Sequence, residues 1–154
     1  MRMLSTRLYS ARRSTLWKGF AMPYLGFHVS VDLSPAQSDQ VATFLTDLTG
    51  TVLGKKRELT SVAVSATSPK HWYIDGQRLA DCQLTTFYLE IKVTEGTNTK
   101  HEKAEYVRQV FDRMAELFGP LAPASYIVIH EVRADAWGYA GQTQEYRYIS
   151  GKPL

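Results

Sequence analysis

The chain has 154 residues, 44% of them apolar and 21% charged, enough for one domain with a real core and too few for two. That composition excludes a disordered chain, and no apolar run approaches the roughly 18 residues needed to cross a bilayer. The formal charge of +3 would suit a nucleic-acid binder, but Arg2, Arg7, Arg12, Arg13 and Lys18 place +5 on residues 1–21, so +3 less +5 leaves about −2 on residues 22–154; a mildly acidic body lacks the electrostatic footprint of nucleic-acid binding.

Residues 1–21 (MRMLSTRLYSARRSTLWKGFA) are rich in Arg and Ser, free of acids and without a long apolar stretch. Such a segment suits an organellar transit peptide and not a secretory signal. It equally suits upstream sequence read through from a mis-assigned start, with Met22 as the initiator. On either reading residues 1–22 form a leader absent from the mature protein, and 23–154 form a single domain. The mature protein is then expected in the cytoplasm, or in mitochondria if residues 1–21 are a transit peptide. A third reading retains the segment.

After the leader, Leu25, Phe27, Val29 and Val31 alternate as one face of a β-strand. Ser34 and Pro35 then suit the N-cap and first position of a helix, with Val41, Phe44, Leu45 and Leu48 at helical spacing and Gly54 as C-cap. The β-branched run 60–65 predicts a strand buried on both faces, as a parallel partner would be, and Trp72 with Gly76-Gln77 predicts a hairpin or a short 3₁₀ segment.

The same order then repeats. Phe87, Leu89, Ile91 and Val93 are counterparts of the first alternating set. Thr97 or Asn98 caps a helix with the stripe Val107, Val110, Phe111, Met114 and Phe118, and Gly119 closes it. The strand 125–130 follows. Trp72 recurs as Trp137 and Gly76-Gln77 as Gly141-Gln142, both 65 residues later. The chain therefore divides into two β-α-β units, 23–84 and 85–150. Right-handed crossovers make the strands of each unit parallel. The expected fold is α+β, a tandem β-α-β pseudo-dimer with a four-stranded sheet and two helices on one face. The uncovered face calls for a symmetric oligomer.

Met22-Pro23 opening a strand, LGKKRELTSVAV (53–64) and HWYIDGQRLA (71–80) resemble the 4-oxalocrotonate tautomerase family. YLEIKVTEGTNTKHEKAEYV (88–107) and ADAWGYAG (134–141) resemble the second unit of the longer, two-unit members of the tautomerase superfamily. The resemblance spans about 23–150. It implies a homotrimer, a small keto- or enol-acid substrate, and a site at the foot of the first strand. In it, the free amine of Pro23 is the general base once residues up to Met22 are gone.

The chemistry of that residue is coherent. Removing Met22 turns an amide nitrogen into a secondary amine, whose unfolded reference pKa lies near 7.7–8.0. Apolar surroundings and nearby cations lower it further, toward the range proton abstraction requires.

An enolate and a substrate carboxylate need cations or donors. The candidates are Lys55, Lys56 and Arg57 before the second strand, Lys92 in the third, Arg133 beyond the fourth, and Tyr24 or Tyr139 as hydroxyl donors. Lys92 could instead pair with Glu90 on a solvated face. Trp72 matches an aromatic of the family's site and Trp137 is its repeat mate; either could be packing only. Glu58 could act on water, and Glu131 follows the fourth strand with Arg133, where longer superfamily members often place polar catalytic groups, while His28, His71, His101 and His130 form no visible dyad. The family's arginines are replaced by Ala63, Val128 and Thr97, which leaves the reaction subclass open.

A single cysteine, Cys82, no Cys/His cluster at ligand spacing and no GxGxxG or P-loop lead to the expectation of no metal and no cofactor. The leading function is tautomerisation of small 2-keto or 2-hydroxy-unsaturated acids. The alternatives are hydration, dehalogenation or decarboxylation of three-carbon acids with the proline protonated, and a non-catalytic binding module that retains residues 1–21.

Overall fold

The computed structural model describes residues 22–151; residues 1–21, and the leader's removal with them, lie outside the described residues. Strand β1 (Tyr24–Val29), helix α1 (Pro35–Leu53) and strand β2 (Ser61–Ala66) form the first unit, followed by a hairpin of β3 (Tyr73–Ile74) and β4 (Gln77–Arg78). The second unit repeats this with β5 (Phe87–Thr94), α2 (Lys100–Phe118), β6 (Tyr126–Val132) and the hairpin β7 (Gly138–Tyr139) and β8 (Gln142–Thr143). A short helix that the periodicity did not signal, α3 (Gln144–Ser150), ends it.

The sheet order is β2-β1-β5-β6, with β1 antiparallel to β5 and each outer strand parallel to its neighbour. The sheet is thus two β-α-β units joined through their first strands. Leu25, Phe27 and Val29 meet Leu89, Ile91 and Val93 of β5, and Val41, Leu45, Val110 and Met114 of the helices, in a core at most 1% exposed. Deep in the helix layer the Tyr106 hydroxyl and the Thr49 hydroxyl share a hydrogen bond of 3.0 Å, and burial pushes the Tyr106 pKa up.

Local chemistry explains the boundaries. Ser34 caps α1 through a capping box with Gln37, Pro35 opens the helix, and Gly54 takes φ 65°, ψ 30° to close it. In the second unit the cap is Thr99, boxed with Glu102, and not Thr97 or Asn98. Those two are occupied elsewhere: the Thr97 hydroxyl accepts from Lys55 and the Asn98 amide donates to the Leu53 carbonyl.

Two expectations are corrected. The strands at 60–65 and 125–130 are not buried on both faces. They are the sheet's edges, with Ser61, Ala63 and Ser65 exposed on the face opposite the helices, because no element among the described residues covers that face. The register of the repeat also differs. The parallel ladders begin at Tyr24–Ser61 and Tyr88–Tyr126, so Leu25 corresponds to Leu89 and Pro23 to Phe87. Alternation with a period of two cannot detect a slip of two residues.

Candidate active site

Pro23 is buried at the head of β1, and its carbonyl accepts from the Ser61 amide at 3.2 Å. Tyr24 follows, opposite Lys92 of β5, so the next position of β5, Val93, is level with Pro23. Beyond it Thr94 is 2% exposed and Thr97 1%. The turn between them needs Gly96 at φ 72°.

Three expected site residues converge on this end of the sheet. The Lys55 ammonium, on a residue only 4% exposed, donates to the Thr97 hydroxyl at 2.8 Å, and that hydroxyl donates to the Thr94 carbonyl at 2.6 Å. The Trp137 indole N–H donates to the Thr94 hydroxyl at 3.2 Å. A buried cation and an aromatic wall are thereby tied to the segment beside Pro23. Trp137 also lines a hollow of about 310 Å³ with Asp135, Tyr139 and Gln142. The larger hollow, about 420 Å³, lies between the solvent sides of α1 and α2 and is lined by Asp39, Phe44, Asp47 and Arg113.

The open sheet face carries the remaining polar chemistry. Lys92 Nζ lies 2.9 Å from Glu90 Oε1 and 5.3 Å from the centre of the Tyr24 ring. His130, the ladder partner of Lys92, brings Nε2 to 3.5 Å from Glu90 Oε2. The hydrogen bond from Lys92, with smaller contributions from the charges of Lys92 and His130, outweighs desolvation and holds the Glu90 carboxyl below its usual range.

Other candidates lie elsewhere or are engaged. Arg57 is ion-paired with Asp47 of α1. Arg133 forms a two-pronged pair with Asp135, both contacts at 3.1 Å, and Glu131 holds Lys103 at 2.8 Å. Trp72 packs tilted against His28, ring centres 5.3 Å apart, four residues and about 13 Å along β1 from Tyr24. A role for Trp72 at Pro23 therefore requires a second protomer. His28 is bonded through both ring nitrogens, to Ser65 at 2.7 Å and Thr67 at 2.6 Å, which suits a structural role. Glu58 is exposed in the single turn before β2. Among the described residues, no three His, Cys, Asp or Glu side chains are grouped to hold a metal ion, and no helix is long and apolar enough to cross a membrane.

Thr94, and the use of Thr97 as an acceptor, escaped the sequence reading. Two polar residues flanking Glu95-Gly96 at a strand end were the one available signal. The Lys55–Thr97 contact joins residues 42 apart and leaves no trace in local spacing.

Residues 88–146 match the family model described as tautomerase enzyme, whereas no curated protein sequence matches the chain. A fused 4-OT that forms a symmetric trimer superposes with a TM-score of 0.70 at 13% identity, over 84% of this chain and 99% of that one. A macrophage migration inhibitory factor-like protein from Entamoeba histolytica gives 0.65 at 16% identity, over 79% and 98%. A homologue of that factor from Prochlorococcus marinus gives 0.64 at 21%, over 78% and 97%. At these identities the structural likenesses establish the fold. The sequence pattern of the tautomerase family thus lies in the second unit, and the fold of the tautomerase superfamily extends across both.

Proposed function

We propose that this chain is a cofactor-independent tautomerase of small 2-keto or 2-hydroxy-unsaturated acids, with the free amine of Pro23 as general base. The observation that carries the reading is the burial of Pro23 at the head of β1, level with a segment to which the buried Lys55 ammonium is hydrogen-bonded. Burial and a neighbouring cation both disfavour a protonated proline, so the amine is free to take a proton near neutral pH. It removes the proton alpha to the substrate carbonyl, and the resulting prolinium returns it to the other end of the enolate. Lys55 balances the charge that develops on oxygen or on the substrate carboxylate, and Trp137 supplies an apolar wall.

The active form starts at Pro23, because a nitrogen acylated by Met22 has no basicity. We further propose a homotrimer, the state named for the fused 4-OT of the same fold, in which the uncovered sheet face is turned toward other copies.

Two measurements test the reading. The intact mass of the protein from its native source is expected to correspond to 23–154. Phenylenolpyruvate tautomerisation by that form is expected to fall by at least about 10²-fold in Pro23→Ala. Full activity in Pro23→Ala, or a native mass that retains residues 1–21, overturns the proline mechanism and favours a binding role.

A further inference from the structure

Among the described residues, Glu90 is the sole carboxylate on the open face of the sheet. Three rows of side chains cross that face: Ser61, Tyr24, Lys92 and His130 at the Pro23 end; Ala63, Gly26, Glu90 and Val128 in the middle; Ser65, His28, Tyr88 and Tyr126 at the far end. Glu90 reaches from the middle row toward the Pro23 end, one oxygen 2.9 Å from Lys92 Nζ and the other 3.5 Å from His130 Nε2. It can do so because its neighbour on β1 is Gly26: a Cβ there would lie 3.3 Å from the Glu90 Cγ. Lys92, held from one side by that carboxylate, rests its ammonium 5.3 Å from the Tyr24 ring, and Tyr24 is joined directly to Pro23.

We infer that Glu90 is a positioning residue for the base: it holds Lys92 against Tyr24 and cancels its charge, and so sets the pH at which the Pro23 amine loses its proton. The inference rests on the proline-base reading above. Seen from Pro23, the Glu90–Lys92 pair is close to neutral. Without the carboxylate an unbalanced ammonium remains beside the head of β1, and it opposes protonation of the amine. Without the ammonium an unbalanced carboxylate remains, and it favours protonation.

The other titratable groups facing Glu90 are His28 and Tyr24 on β1, Tyr88 on β5, and His130 and Tyr126 on β6. The charged groups in the segments that flank this end of the strands are Lys55, the Arg57–Asp47 pair, Glu95, the Lys103–Glu131 pair and the Arg133–Asp135 pair. Glu90→Gln and Lys92→Met leave this background in place, so their difference reports the pair alone. A unit charge about 10 Å away, at an effective dielectric between about 20 and 80, moves a pKa by roughly 0.3 to 1.2 units.

The experiment uses the protein whose mass confirms a free Pro23 amine. It reads the acid limb of kcat/KM for phenylenolpyruvate against pH, together with the ¹⁵N chemical shift of the labelled proline amine as it titrates. Glu90→Gln is expected to move both to lower pH by about half a unit. Lys92→Met is expected to move both to higher pH, the double variant to return near the parent, and Glu90→Asp to restore most of the parent profile. No shift in either single variant, or shifts of the same sign, overturns the inference even if Pro23→Ala still abolishes activity. Full activity in Pro23→Ala overturns the base reading itself. Should Glu90→Gln fail to fold, the sign of the Lys92→Met shift still decides: a shift to lower pH, or none, sinks the idea.

Discussion

Lys55 is an unusual residue to bury, because an ammonium leaves water only where donors and charge are compensated. Here Thr97 accepts one of its hydrogens while passing its own proton to the Thr94 carbonyl. The cost of desolvation is justified if the charge serves an anionic substrate or an enolate. Lys55→Met, which keeps most of the volume, is therefore expected to lower kcat/KM for a keto-acid substrate by roughly 10²-fold. Thermal melting by circular dichroism should show that the protein stays folded. A variant that melts like the parent and keeps full activity would remove Lys55 from the site. Glu90 makes a separate statement about pH. Its folded pKa is depressed, so its stabilising pair with Lys92 is present above the ordinary carboxylate range and is lost as pH falls through the lowered value. Glu90→Gln should therefore flatten the acid side of the stability profile measured by urea unfolding between about pH 5 and pH 2.

At the scale of elements, the two helices are capped by the same device at each start, a hydroxyl residue boxed with the residue three positions on. Their contact hides the Thr49–Tyr106 hydrogen bond. Removing the phenolic hydroxyl strands the Thr49 hydroxyl at a fully buried position. Tyr106→Phe is expected to cost about 1–3 kcal/mol in chemical denaturation. Substitution of both, Tyr106→Phe with Thr49→Val, should recover much of that, since neither polar group remains unpaired. A double variant no better than the single one would mean that the hydroxyls matter less than the packing. The hairpins are likewise shaped by backbone demands. Asp75-Gly76 and Ala140-Gly141 all take positive φ, and at Gly138 a Cβ would lie 2.0 Å from the Gln142 carbonyl oxygen. The second hairpin, which carries Trp137, is thus closed too tightly for any side chain at 138.

At the scale of the molecule, one face of the sheet is packed by helices and the other is left open, with Tyr24, Tyr88 and Tyr126 at 38%, 37% and 60% exposure. A sheet face left open by the described residues, with three part-exposed tyrosines, suits association with further copies. Sedimentation equilibrium of the form starting at Pro23 is expected to give three times the chain mass. A monomer at micromolar concentration would contradict the trimer and leave Trp72 without a Pro23 to serve.

The architecture was largely legible in the order of residues. The offset of 65 between Trp72 and Trp137, the alternation in the first strand of each unit and the Ser34-Pro35 cap all act through neighbours a few positions apart, and such local rules survive in the chain as written. The register between the units, the exposure of the edge strands and the partners of the site residues did not survive in that form. Leu25 lies level with Ile91 of β5, Lys55 meets Thr97 and Glu90 reaches His130 because strands distant in sequence are set side by side, and a period of two looks the same after a slip of two. The family resemblance marked Pro23 as a candidate, and residue type and position marked a set of cations. Which cation is buried at the Pro23 end of the sheet, and which is held by a carboxylate on its open face, was decided by the tertiary packing, since burial and charge pairing are properties of the assembled sheet and not of any segment within it.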